Sequence, residues 1–366
     1  MHMSKTEWLP AAPVSASNSK ADTPLFPFLV RLMRGEDLSF DEAADFFRAL
    51  TAPNANPAQM AGTLVALTVK GETFAELAGM AHVMREQAVK VTTRHKAFID
   101  TSGTGSSPSK TFNVSTAVAF VTAGAGLPVA KQINRGVLSS TGSADVLSKL
   151  GINIACEAGV AQTCLNGAGL CFMFAPKFHP TLIRVGDIRS GLGIRSVLNL
   201  LGVMANPAHA PRQLIGVWHP SLFEPMAQAM AILRPDRAWI VHAKDGLDEL
   251  TLTDETYVAE VIGNKINEFR ITPEDFGLQR AAIDHLKAKS PTDSAAIIRD
   301  VLSSKRRDEA RSLVVLNAAA ALVIGGMAKD TMQAARLAEQ SIDSGMAQNK
   351  LDRLIQVTNK KQTAAG

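Results

Sequence analysis

The 366-residue sequence lacks most of the features that mark special classes of protein. It has three cysteines, Cys156, Cys164 and Cys171. Their odd number and irregular spacing match no metal-binding, redox or disulfide pattern, so each reads as a small apolar filler in a reducing compartment. No apolar run approaches the roughly 18 residues that a membrane-crossing helix needs. The opening stretch, MHMSKTEWLPAAPVSASNSKADTP, has no apolar signal-peptide centre and is rich in Ser, Ala and Pro. Residues 1–23 therefore read as a flexible leader, and the protein as cytoplasmic. A charge excess is also missing: the net charge is only +4, and the one dense basic run, Lys305-Arg306-Arg307, is followed at once by Asp308 and Glu309. That pattern is a solvated helix face and argues against a nucleic-acid partner. There is no internal repeat, and no low-complexity segment beyond the leader.

What is present is ordinary globular material. With 46% hydrophobic and 20% charged residues, the chain can bury a large core and divides more naturally into two domains than one. Residues 24 to about 92 carry helix punctuation. Ser39-Phe40-Asp41-Glu42 and Thr73-Phe74-Ala75-Glu76 fit the capping box, in which hydroxyl and carboxylate each satisfy an orphan amide at a helix start. Asn56-Pro57 supplies a cap followed by proline at the first helical position, and Gly71 stands where that helix should stop.

From residue 97 the pattern changes to short apolar runs alternating with helical stretches: AFIDTSG, VSTAVAFVTAGAG, LPVAKQ, SADVLSKLG and INIACE, then LCFMFAP, LIGVW and AWIVHA. This alternation predicts an α/β region with a mostly parallel sheet covered by helices on both faces. TYVAEVIG and INEFRIT, joined at Asn264-Lys265, predict an antiparallel hairpin late in that region. The last seventy or so residues return to long helices.

Three stretches carry chemistry. GTGSSPSKTFNVST, residues 103–116, lies between a strand and a helix. Gly103 and Gly105 permit close backbone approach and positive φ, while Asn113, Ser115 and Thr116 place donors at a helix N-terminus that favours negative charge. It is neither a P-loop nor G-x-G-x-x-G, because Pro108 stands where the last glycine should be. Unsupported, such a turn is as often a plain strand-to-helix connection. VAKQINRGVLSSTGSADVL then gathers Lys131, Asn134, Arg135, Ser139, Ser140 and Ser143 in one loop, a density of cation and hydroxyl suited to several phosphate oxygens. HAKDGLDEL places Asp248 and Glu249 side by side just after a strand. Adjacent carboxylates at a sheet's carboxyl edge suit magnesium, which completes its shell from water and substrate phosphates, although paired acids in a turn are more often merely solvated.

In this order the motifs resemble the anthranilate phosphoribosyltransferase family, which joins anthranilate to phosphoribosyl pyrophosphate in tryptophan biosynthesis. The resemblance runs through RLMRGEDLSFDEA, NPAQMAGTLVALTVKGETFAELAGMAHVMRE, the two loops, FAPKFHP, GLGIRSVLNLLGVMANPA, DGLDELTLTDETYVAEV and ITPEDFGL, nearly everything but the leader. It implies a small all-helical domain over residues 24–95, completed by helices around 180–205. A larger α/β domain would be formed by 96–179 and 206–366, with the active site in the hinge cleft and a homodimer built through the helical domain. It also implies roles. Gly103, Thr104, Gly105, Thr111, Asn113, Ser115, Thr116, Lys131, Arg135, Ser139 and Ser143 would bind phosphoribosyl pyrophosphate. Ser115, Asp248 and Glu249 would hold Mg2+. Gly103, Asn134, Arg189 and Gly202 would bind anthranilate, with Arg189 as the fork for its carboxylate. None acts as a nucleophile, and no general base is assigned; His179, before a proline, is read as a packing or capping residue.

The departures from the family pattern are specific. Ser106, Ser107 and Pro108 replace the second half of G-T-G-G-D-G, which removes an acidic position near the pyrophosphate. K-H-G-N-R has become Lys131, Gln132, Ile133, Asn134 and Arg135, and LLGP has become Leu200-Leu201-Gly202-Val203. Gln132, Ile133 and Val203 are expected beside the acceptor, so another aromatic acid or amine remains open as acceptor. A non-enzymatic relative binding an anion or nucleic acid would require a broken metal site, whereas Ser115, Asp248 and Glu249 are all present. A pyrimidine nucleoside phosphorylase is disfavoured, because its loop motifs are missing.

Overall fold

The computed structural model describes residues 24–105, 111–135 and 141–360. The expected leader, Ser106, Ser107, Pro108, Ser139 and Ser140 lie outside the described residues. Four helices come first: α1 (Phe26–Met33), α2 (Phe40–Thr51), α3 (Pro57–Lys70) and α4 (Phe74–Glu86). Both capping boxes form as the sequence predicts. Ser39 accepts from the Glu42 amide while Glu42 accepts from the Ser39 amide, and Thr73 and Glu76 repeat the arrangement. Asn56 caps α3 through the amides of Ala58 and Gln59, and Gly71 ends it at φ 87°.

The chain then alternates: β1 (Ile99–Asp100), α5 (Val114–Gly124), β2 (Val129–Ile133), α6 (Ser143–Lys149), α7 (Ala158–Ala168), β3 (Leu170–Phe174) and a single turn α8 (Ala175–Phe178). Two helices follow, α9 (Ile183–Leu192) and α10 (Val197–Met204), before β4 (Arg212–Gly216), α11 (Phe223–Leu233), β5 (Arg237–Ala243), β6 (Thr256–Ile262) and β7 (Lys265–Ile271). Helices α12 (Pro291–Leu302), α13 (Glu309–Ile324), α14 (Thr331–Asp343) and α15 (Met346–Thr358) complete it. The sheet has the order β3-β2-β1-β4-β5-β6-β7, parallel through β5 and antiparallel at β6 and β7.

Two local expectations are corrected. Lys265 pairs with Ile262 inside the hairpin, so the turn is Gly263-Asn264, with Gly263 at φ 60°. INIACE forms no strand: Asn153 bonds the hydroxyl and carbonyl of Thr358 in α15, and a terminal helix rather than a ladder satisfies this segment.

The two faces of the sheet bury different cores. One face packs α5, α13 and their neighbours around Val129, Ile133, Trp239 and Val241. The other is continuous with the helical module: Phe46, Phe47, Leu64 and Leu77 share a cluster with Val185, Leu201, Met226 and the strand residues Ile215 and Ile240. Helix α9 packs on α2 and α3, and α10 on α3 and α4, so these two helices join the amino-terminal module although they lie far along the chain.

Candidate functional site

β1 lies between β2 and β4, where the chain, having run outward through β2 and β3, reverses to continue through β4 and β5. In an open α/β sheet the crevice beyond the carboxyl ends at such a reversal is where ligands bind. The loops leaving β1, β2, β4 and β5 all emerge there, and those after β1, β2 and β5 carry Gly103, Gly105, Asn134, Arg135, Asp248 and Glu249.

The first loop is held by the last. Gly105, at φ 68°, donates its amide to Asp248 Oδ2 at 2.8 Å, and Ser115, at the start of α5, donates its amide to Glu249 Oε1 at 2.9 Å. Glycine is required for so close an approach. A methyl group on Gly103 would lie 3.1 Å from Asp248 Oδ2, and one on Gly216 would collide with the Asp248 carbonyl oxygen. Thr104 anchors the loop from beneath: its hydroxyl donates to the Gly216 carbonyl and accepts from the Trp218 amide. Asn113 does not cap α5. Its amide group donates to the Thr141 carbonyl and accepts from the Ser294 hydroxyl, so it ties the two anion-type loops together. The Thr111 hydroxyl donates to the Phe112 carbonyl, whereas Thr116 is fully buried and its hydroxyl has no partner among the described residues.

Beneath the loops lies a charged cluster. Lys131 is 3% exposed, and its ammonium donates to the Thr101 carbonyl at 2.5 Å. Asp100, also buried, accepts from Ser102 Oγ and Asn206 Nδ2, each at 2.6 Å. Burial pushes Asp100 and Asp248 above the usual carboxylate range and Lys131 below the usual ammonium range. Glu249 is pushed up to about 8, first by its packed surroundings and then by its neighbour Asp248. One ammonium thus faces three carboxylates in a confined space. Among the described residues no group of three or more His, Cys, Asp or Glu forms a metal cage. Two crowded carboxylates short of positive charge nevertheless fit magnesium, which takes one or two carboxylates and draws the rest of its shell from water and phosphate.

In the second loop, the Ser143 hydroxyl at the start of α6 bridges the backbone of Asn134, donating to its carbonyl and accepting from its amide. The Arg135 guanidinium lies 5.9 Å from the centroid of the Phe174 ring. Ser139 falls outside the described residues.

The acceptor-side residues separate by strand pleat. Val129, Lys131 and Ile133 share one face of β2, and Ala130 and Gln132 the other. Ile133 is buried in the core around α5, so it does not line a slot beside Gly202, contrary to the sequence expectation. Gln132 does: its Nε2 lies 3.9 Å from where a Gly202 methyl group would sit, and its Oε1 is 3.3 Å from His179 Nε2. Burial holds His179 down to about 4. Val203 is buried among the helices, and its carbonyl accepts from Gln213. Arg189, on α9, is 9% exposed; its Nε has no partner among the described residues, and burial lowers its pKa.

Sequence reasoning missed Asp100, Ser102, Asn206, Gly216 and Ser294. Asp100 and Ser102 stand in FIDTSG and Asn206 in VMANPA, but nothing local shows that Asn206 reaches back to Asp100 and to the Ala130 carbonyl. A glycine closing the apolar run LIG was the visible signal for Gly216.

Residues 27–88 match the helical bundle domain of a glycosyl transferase family, and residues 95–348 match its a/b domain. The anthranilate phosphoribosyltransferase of Roseiflexus sp. (strain RS-1) is 44% identical over 92% of this chain and 98% of its own length. The crystal structure of anthranilate phosphoribosyltransferase from Thermus thermophilus superposes with a TM-score of 0.84 at 35% identity, covering 90% of this chain and 99% of that one. The Saccharomyces cerevisiae enzyme in complex with phosphoribosyl pyrophosphate and Mg shares the fold at a TM-score of 0.84 and 24% identity, over 92% of this chain and 98% of its own.

Proposed function

The chain belongs to the anthranilate phosphoribosyltransferase family, and from that premise we infer that it transfers the phosphoribosyl group of phosphoribosyl pyrophosphate to anthranilate. The products are N-(5-phosphoribosyl)anthranilate and pyrophosphate, and the step belongs to tryptophan biosynthesis. The observation that carries the reading is the meeting, at the strand-order reversal, of the Gly103–Gly105 loop, the α5 N-terminus and the Asp248–Glu249 pair.

The chemistry assigned to these residues is positioning and charge stabilisation. The C1–O bond to pyrophosphate breaks as the anthranilate amine forms the C1–N bond from the opposite face, and the amine then loses a proton. An arylamine needs no strong base to attack. Asn113, by fastening the 111–115 and 141–143 segments to each other, would keep the groups that receive pyrophosphate and phosphate in one arrangement. Asn134, Arg135 and Ser143 would serve the phosphoribosyl end, and Gly202 and Arg189 the acceptor, with the buried guanidinium meeting its carboxylate. Asp248, Glu249 and Ser115 would hold Mg2+, which when bound neutralises the departing pyrophosphate. The yeast relative's complex with Mg and the crowding of the two carboxylates support that assignment.

A homodimer through the helical module is part of the same reading. Val65 and Val69 lie one turn apart on α3, and Val69 is 83% exposed, an apolar stripe suited to a second copy. Among the described residues no helix is long and apolar enough to cross a membrane.

A single-turnover assay with phosphoribosyl pyrophosphate, magnesium and anthranilate, read by loss of anthranilate fluorescence, tests the function. Turnover is expected. Tight donor binding without turnover would instead point to a different acceptor.

A further inference from the structure

Helix α9 carries Arg189 but has little to fix it along its own axis. It starts at Leu182 without a side-chain cap and ends on Gly193 at φ 63°. Val185, Ile188 and Leu192 turn toward the core of the helical module. An apolar seam of this kind fixes which side of a helix faces inward and resists axial sliding only weakly, because its contacts are non-directional.

Just ahead of α9 the Thr181 hydroxyl donates to Gln87 Oε1 at 3.0 Å, and along the stretch itself directional contacts come from two arginines. Arg184 donates from Nη1 to the Ala52 carbonyl at 3.2 Å and to the Pro53 carbonyl, and from Nη2 to the Ala55 carbonyl at 3.0 Å. These oxygens close α2 and lead into α3, so the guanidinium also sits at the negative end of the α2 dipole. Beyond the other end of α9, the Arg195 guanidinium lies 5.4 Å from the centroid of the Trp218 ring. The Trp218 amide donates to the Thr104 hydroxyl in the first loop. The stretch from Arg184 to Arg195 is thus fastened to the helical module at one end and, through Trp218, to the loop after β1 at the other.

We propose that Arg184 is a positioning residue for the acceptor: it sets the axial position of α9 and thereby aims Arg189 at the acceptor carboxylate. The proposal rests on the reading of Arg189 given above. Arg189 follows five residues after Arg184, about 7.5 Å along the axis. Release of the Arg184 end lets α9 pivot about the Arg195 anchor and carries the Arg189 guanidinium with it. No hydrogen bond donated by Arg189 Nε holds it in place among the described residues.

Steady-state kinetics of Arg184→Gln and Arg184→Lys test this, together with inhibition by benzoate, which offers the carboxylate and ring without the amine. Arg184→Gln is expected to raise the KM for anthranilate and the Ki for benzoate in parallel by about tenfold or more, with the donor KM within about twofold, since misplacement by about 1 Å can cost two orders of magnitude. Arg184→Lys keeps one cation on the α2 carbonyls without the three-way contact, so a smaller parallel shift of about threefold is expected. It carries the test alone should Arg184→Gln not fold. Unchanged anthranilate KM and benzoate Ki in a folded variant, or an equal rise in acceptor and donor KM, overturns the proposal. A wild-type enzyme that binds the donor and transfers nothing to anthranilate refutes the functional reading instead.

Discussion

Asp248 Oδ2 accepts the Gly105 amide at 2.8 Å, and this one bond brings the loop that follows β5 against the loop that follows β1. Glu249 repeats the contact with the Ser115 amide at 2.9 Å. The two acids therefore shape the loops as well as crowd negative charge into the cleft. The double change Asp248→Asn with Glu249→Gln keeps acceptor oxygens for both amides and removes the charge. The fold should survive, while turnover falls at least about tenfold, roughly 1.4 kcal/mol in the barrier, and donor affinity becomes insensitive to magnesium. Donor titrations with and without magnesium check this; wild-type kinetics would remove the metal assignment.

Lys131 stands inside the cluster with its ammonium already bonded to the Thr101 carbonyl. A buried cation beside the buried Asp100 and the half-buried Asp248 does most of its work in stability, because its removal leaves these carboxylates uncompensated. Lys131→Met should destabilise the protein by about 3 kcal/mol at neutral pH, measurable by urea unfolding. If the urea midpoint holds and only the donor KM rises, Lys131 is a phosphate ligand and not a buried counter-charge.

His179 gives a pH dependence with a definite sign. Its pKa falls from the ordinary 6.5 to about 4 in the folded chain because burial disfavours the imidazolium. Between these values the unfolded chain binds a proton that the folded chain refuses, so stability declines as pH falls from about 6.5 towards 4. At pH 5 the loss from this group is about 2 kcal/mol. His179→Gln should show a correspondingly smaller drop in unfolding free energy between pH 7.5 and pH 5. An identical drop in wild type and variant would mean that other groups carry the acid sensitivity.

These residues also show what the sequence could and could not reveal. Caps are local, so Ser39, Asn56 and Thr73 announced their helices, and a strand-loop-helix grammar placed Gly103, Ser115 and Asp248 at the same sheet edge. The period of two in VAKQI already separates Gln132 from Ile133, yet their adjacency in one motif makes both look like neighbours of the acceptor. Contacts across long sequence separations left no local trace. Asn206 on Asp100, Thr358 on Asn153 and Gly216 under Asp248 are each settled by how the sheet is covered, and no nearby residue pattern records that.

Arg189 combines burial with an incomplete set of hydrogen bonds among the described residues, which is costly for a guanidinium unless something outside the chain completes it. An acceptor carboxylate would do so through two parallel charge-assisted bonds that an ammonium cannot copy. Arg189→Lys should therefore raise the KM for anthranilate by about tenfold, about 1.4 kcal/mol, while the donor KM stays put. Arg189→Met separates binding from folding. It deletes the buried charge while roughly keeping the side chain's length, so thermal stability should hold or rise as acceptor binding is lost, the opposing pattern of a residue kept for function at some expense of stability. A fall of several degrees in Tm together with unchanged acceptor KM would show instead that Arg189 supports the packing of α9 and that the carboxylate is bound elsewhere.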